Sequence, residues 1–147
     1  MKQWLTAILI TLLPALSTLA TAENSTRIPG YVIHHNAIPT AILQPNIAAG
    51  YGIIRSKYRG LLNISVIREV PGTTGKAVTA YADAQVTNLI GSMQQVKLRK
   101  ITEGDAIYYI GEFTIVDAET LTFTLEVQPK GSDKTARVVL KQQFFVD

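Results

Sequence analysis

Apolar and polar residues alternate along most of this chain. The plainest case is "LTFTLEVQ" (121 to 128), where Leu121, Phe123, Leu125 and Val127 share one side and Thr122, Thr124, Glu126 and Gln128 the other. A period of two with one polar side predicts a half-buried antiparallel strand. The same beat runs through "RGLLNISVIRE" (59 to 69), "AVTAYADAQVTNLI" (77 to 90), "MQQVKLRKIT" (93 to 102) and "DAIYYIGEFTIV" (105 to 116). It returns in "ARVVLKQQFFV" (136 to 146), where Gln142 is a polar residue in an apolar position. Together with "YVIHHNAI" (31 to 38), these stretches predict seven strands separated by turn sequences such as "EGD", "VDAET" and "PKGSDK". Short, evenly spaced strands argue for an all-β fold, an antiparallel sandwich, rather than a βαβ fold.

One stretch departs from the alternation. In "LQPNIAAGYG" (43 to 52), Pro45 suits a first helical position and Gly50 and Gly52 suit a stop, so one short helix is expected near residues 45–51. Residues 23–30, "ENSTRIPG", read as a loose N-terminal arm.

The first residues bear on location. Lys2 precedes the apolar run "WLTAILITLL", Pro14 ends it, and Ala20 and Ala22 form a small-x-small cleavage pattern. This predicts a signal peptide over 1–22, cleavage after Ala22, and export to the periplasm. A transmembrane reading needs ~20 uninterrupted apolar residues, and Pro14, Ser17, Thr18 and Thr21 come too soon. The mature chain, 23–147, has the size of one domain. It contains no cysteine, so its core holds without disulfides although export would permit them.

Charge adds little. Fourteen basic against 11 acidic residues leave a formal net charge of +3, spread without the basic track that nucleic-acid binding requires. Nor is a catalytic set visible. Ser56, Ser65, Ser92 and Ser132 compete for two histidines, and no G-x-S-x-G elbow occurs. The acidic pairs Glu103 with Asp105 and Asp117 with Glu119 fall in expected turns, where acidic residues serve turn chemistry. "PGTTGKAVT" (71 to 79) lacks the first glycine of a phosphate loop, because Val70 occupies its place, and reads as a hairpin loop. A non-enzymatic protein without a cofactor is therefore expected.

Two polar features remain. His34 and His35 are the only histidines. In a regular strand they point to opposite faces, so they cannot share one ion at the ~2.0–2.1 Å of a zinc–nitrogen bond. One of them is expected inside with a hydrogen-bond partner. In "IIRSKYRG" (53 to 60), Arg55, Lys57 and Arg59 alternate and would share one face of an extended strip, with Ser56 and Tyr58 on the other. Such a strip could hold an acidic partner, a phosphate or lipid headgroups; a charged edge strand guarding against aggregation is the commoner use of such a pattern.

"DAIYYI" (105 to 110) resembles the immunoglobulin strand that carries the tyrosine corner, with Tyr108 in the corner place and Ile110 where the cysteine would be. A longer resemblance rests on "YVIHHNAI", "AAGYGIIRSKYRGLLNISV", "EGDAIYYIGEF" and the terminal "QQFF". These stretches are similar to the bacterial family labelled domain of unknown function 4426. The resemblance implies an exported, Ig-like β-sandwich and brings no activity or ligand with it. Within the matching stretches, His34, Tyr51, Arg55, Ser56, Asn63 and Asp105 are polar residues set among apolar ones. With His35, Lys57 and Arg59 they are the candidate binding positions. The expected role is a binding or adaptor module for another periplasmic or envelope protein, with the helical turn and cationic strip as its contact surface. The alternative is a small-molecule or metal carrier using His34 or His35.

Overall fold

The computed structural model describes residues 24–147; the signal-peptide reading of 1–22 lies outside them. Among the described residues ten strands form two antiparallel sheets packed face to face. The first sheet orders β1 (Ser25–Ile28), β2 (Tyr31–Pro39), β3 (Arg59–Arg68), β8 (Ala106–Thr114) and β7 (Arg99–Glu103), and β4 (Lys76–Ala77) pairs with the far end of β3. The second orders β10 (Ala136–Gln143), β9 (Thr120–Pro129), β5 (Ala80–Asn88) and β6 (Met93–Gln95). Among the described residues no helix is long and apolar enough to cross a membrane.

Three strands beyond the expected seven have identifiable causes. The N-terminal segment is not a loose arm: β1 pairs with β2 from Ser25↔His34 to Ile28↔Tyr31, turning at Gly30. The stretch 77–90 divides into β4 and β5, and 93–102 into β6 and β7, each pair split between the two sheets. Alternation continues through both crossings, which is why periodicity alone merges the halves. Strand β8 anchors each crossing. At one, the Tyr109 hydroxyl accepts the Ala80 N–H at 2.8 Å. At the other, a Cβ on Gly111 would lie 2.6 Å from Val96 Cγ1 and 2.7 Å from the Lys97 carbonyl oxygen, so only glycine leaves room for the passing chain. Tyr109, not Tyr108, thus makes the inter-sheet tyrosine contact. Tyr108 and Ile110 lie on the outer side of the sheet, and the corner register expected from "DAIYYI" is off by one residue.

The core lies between the sheets. Ile33, Leu62, Ile64, Val66, Phe123, Leu125 and Val127 have no exposed surface. Phe113 meets Phe123 and Phe144 edge-on, at centroid distances of 4.8 and 5.4 Å, the geometry aromatic quadrupoles favour. Gln142, the polar intruder of the last strand, donates from Nε2 to the Ala37 carbonyl at 3.2 Å. It ties the second sheet to β2 beyond the point where β1 ends.

Gly60 faces Phe113 across the β3–β8 ladder, and a Cβ there would fall 2.0 Å from the ring. The ring is held by two other phenylalanines and has little freedom to yield. Gly60→Ala should therefore destabilise the fold by about 2–3 kcal/mol, as overpacking of a filled core does. Urea denaturation with an unchanged m-value is the check, and a loss below about 0.5 kcal/mol would contradict this packing.

Candidate functional site

The outer face of the first sheet departs from the simple pattern of one apolar and one polar face. Residues of β2, β3, β8 and β7 that point away from the core include Ile38, Leu61, Ile110 and Ile101, and they form a second apolar cluster with Ala48 and Ile53. The segment between β2 and β3 covers them. It contains a 3-10 turn (Thr40–Ile42) and the helix α1 (Pro45–Gly50).

The sequence explains both ends of this cover. Pro45 opens α1, and Gly52, at φ +65°, closes it. Gly52 N–H bonds to the Ala49 carbonyl at 3.1 Å and Ile53 N–H to the Ala48 carbonyl at 2.8 Å. This is a Schellman ending, with Ile53 and Ala48 making its hydrophobic contact. The base of the cover is clasped by Thr40, fully buried. Its Oγ1 accepts the Ser56 N–H at 2.9 Å and donates to the Ile54 carbonyl at 2.9 Å. On the far side, Arg99 of β7 donates to the Tyr51 carbonyl.

Between cover and sheet lies a pocket of 310 Å³, at the lower end of the ~300–1,000 Å³ of small-ligand sites. Its walls are mostly isoleucine and leucine. Asn36 and Asn63, opposite each other on β2 and β3, place two carboxamides at one end. At the other end the Tyr51 hydroxyl donates to Glu103, with Tyr108 beside them. The Glu103 hydrogen bond, partial burial and the carboxylate's charge, with a smaller contribution from Tyr108, raise the Tyr51 pKa above its ordinary 10.0. The phenol therefore stays protonated and donating. The Asn63 Oδ1 is buried and has no hydrogen-bond partner among the described residues.

The candidate positions distribute unevenly. Tyr51 and Asn63 line this pocket. His35 points inward, its Nε2 3.1 Å from Thr26 Oγ1. His34 points outward into a separate cleft with Arg27, Glu69 and the 70–75 loop. The cationic strip is not a strand. The chain is irregular through Arg55 and turns at 57–58, breaking the alternation. Arg55 donates to the Ala41 carbonyl at 2.9 Å, Lys57 Nζ stands 5.5 Å from the Tyr58 ring, and Arg59 lies 3.5 Å from Glu112. Nor does it guard an edge, since β3 is interior to its sheet. Ser56 serves the Thr40 clasp, and Asp105 sits exposed in the β7–β8 turn.

Asn36 is a site residue that the sequence reading did not single out, and Glu103 and Tyr108 are ones it assigned to a turn and to a tyrosine corner rather than to a site. A signal existed in the adjacent apolar pairs Leu61–Leu62 and Tyr109–Ile110, which mark strands buried on both faces.

The family model for domain of unknown function DUF4426 matches residues 25–147, and the chain belongs to that family. It is similar to a solved DUF4426 family protein from Pseudomonas aeruginosa, with 30% identity, a TM-score of 0.71, and coverage of 84% of this chain and 94% of that one. It also shares its fold with FetP of uropathogenic Escherichia coli, as isolated after periplasmic expression, at 12% identity and a TM-score of 0.58, covering 82% and 92% of the two chains. A copper-bound variant of FetP gives the same identity and TM-score, with 82% and 93% covered. No curated protein sequence matches the chain.

Two outcomes follow from the site's geometry. Asn63→Leu removes a buried polar group that has no bond to lose, so stability should rise by about 1 kcal/mol, read as a higher Tm; a fall of that size would mean that the carboxamide is structurally paired. Glu103→Gln removes the negative charge that disfavours the phenolate, so the Tyr51 pKa should drop towards 10.0. Its ring carbon shift across an alkaline NMR titration checks this, and an unmoved midpoint would contradict the pairing.

Proposed function

We propose that this protein is a non-catalytic binding module of the bacterial periplasm, and that it engages another envelope protein through the α1 cover and the pocket beneath it. The signal-peptide pattern of residues 1–22 and the fold shared with a protein produced in the periplasm support the location. The pocket lines up no nucleophile with a base, which favours binding over turnover.

The observation that carries this reading is the exposed apolar surface of the cover, of which Ile47 also lines the pocket. Ile42, Ile47 and Ile54 are 65%, 43% and 61% exposed. They sit on the cover segment, whose two ends the Thr40 clasp brings together. Exposed apolar side chains around a concave apolar pocket are the usual form of a protein-docking surface, where one anchor fills the pocket and its neighbours exclude water. Arg55 and Lys57 follow Ile54 in the chain and would supply a polar rim.

The carrier reading through His34 or His35 has less support. The FetP variant is copper-bound, but here the two imidazoles face opposite sides of β2. Among the described residues, no three of His, Cys, Asp or Glu stand close enough to hold a metal.

A photo-crosslinking amino acid placed at Ile47 or Ile54 in cells should yield one discrete adduct with an envelope protein. The same probe at Tyr81 or Val139, exposed on the outer face of the second sheet, should yield none. Equal adducts from both faces, or none from either, would overturn the proposal.

A further inference from the structure

The pocket's chemistry specifies more than an apolar anchor. Glu103 is its one charged lining residue, and among the described residues it makes no ion pair, only the hydrogen bond from Tyr51. Arg99, on the same strand, donates to the Tyr51 carbonyl instead. A carboxylate at the end of an apolar slot, uncompensated by charge and flanked by the rings of Tyr51 and Tyr108, favours a cation reaching it along an apolar path. Glu103 is exposed in the free protein, and a partner seated over it would desolvate the contact and strengthen both the charge attraction and the cation–π term.

We infer that the pocket of the DUF4426 fold in this chain receives a lysine side chain of the partner protein. The methylene stem would lie between Ile47, Ile53 and Ile101, and the ammonium would rest on Glu103. The inference rests on the binding-module reading above. Lysine suits the site better than arginine for a geometric reason. Arginine binds carboxylates best as a fork using both oxygens, and one Glu103 oxygen already accepts from Tyr51. An ammonium is a compact donor that needs only the other.

The far end of the slot fits the same occupant. The lining residues span four adjacent strands, β2, β3, β8 and β7, about 14 Å at ~4.8 Å per strand. Asn36 on β2 and Asn63 on β3 therefore stand about 14 and about 10 Å across the sheet from the strand of Glu103, where the inserted residue's own backbone would pass. Carboxamides match peptide groups in both donors and acceptors. The unpartnered Asn63 Oδ1 gains a backbone N–H once its amide turns to meet it.

The test uses the folded protein from residue 23 and four probes: Nα-acetyl-lysine methylamide and its norleucine, arginine and Nζ-acetyl-lysine counterparts. Each is titrated while amide shifts of α1, β3, β7 and β8 are followed by NMR. The lysine probe should bind at these positions at least tenfold more tightly than the norleucine probe, and more tightly than the other two. Glu103→Gln should erase the lysine–norleucine difference and leave norleucine affinity unchanged. Because Glu103→Gln also weakens the latch to Tyr51, Tyr51→Phe serves as a second variant: it breaks that hydrogen bond but keeps the charge, and should keep the preference for lysine. Equal binding of lysine and norleucine, an arginine preference, or shifts confined to other faces would overturn the inference. Crosslinks at Ile47 with no lysine preference would leave the docking surface standing and remove only its charge chemistry. A lysine preference without crosslinks would do the reverse.

Discussion

A strand that is apolar on both faces has to be covered twice, and β3 and β8 are such strands. Leu62, Ile64 and Val66 turn to the second sheet, while Leu61 turns the other way; Tyr109 and Phe113 turn inward, while Ile110 turns outward. The inner faces find the second sheet, as in any sandwich. The outer faces need a further layer, and α1 with its flanking turns supplies it. The polar outer face of β9, with Thr122, Thr124 and Glu126, requires no such layer. The two sides of the molecule are therefore unlike, and the pocket lies on the covered one.

Strand β8 connects the two tasks. Gly111 and Tyr109 let the chain pass from one sheet to the other and hold it there. Tyr108 and Ile110, alternating with them, form part of the pocket wall. Core geometry and pocket shape thus depend on one backbone register, because a slip of one residue exchanges every inward side chain for an outward one. The cover depends on fewer contacts. Its Schellman ending, the Thr40 clasp and the Tyr51–Glu103 and Arg99 latches hold a single helix of six residues, too short to persist without packing.

The pocket also departs from what stability alone would select. The buried Asn63 Oδ1, without a partner among the described residues, costs free energy in its apolar surround, whereas the exposed Glu103 keeps its contact with water. An apolar residue at Asn63 would close the second cluster more economically. Polar groups that weaken a fold while facing a cavity are common where binding is the purpose. The same logic separates His34 from His35. The inward His35 has a hydrogen-bond partner and belongs to the core, whereas the outward His34 stands in a different cleft.

The period-two pattern was sufficient to predict a sandwich, because it records which side chains must leave water, and the fold is one that satisfies every such strand. The Pro45 and Gly52 signals likewise located α1, since proline and glycine act through local backbone angles. Periodicity could not separate β4 from β5 or β6 from β7, for a strand that changes sheets keeps its inward face inward. Charge spacing misplaced the Arg55–Lys57–Arg59 strip, because a turn at 57–58 ended the extended geometry that the spacing assumed. Tyr51 and Asn63 were legible as polar residues among apolar neighbours. That they share one cavity with Glu103, from a strand about forty residues further on, was decided only by the tertiary structure. Sequence determines what each residue requires of its surroundings; which residues meet depends on strand order, and strand order is set by long-range packing that no local pattern encodes.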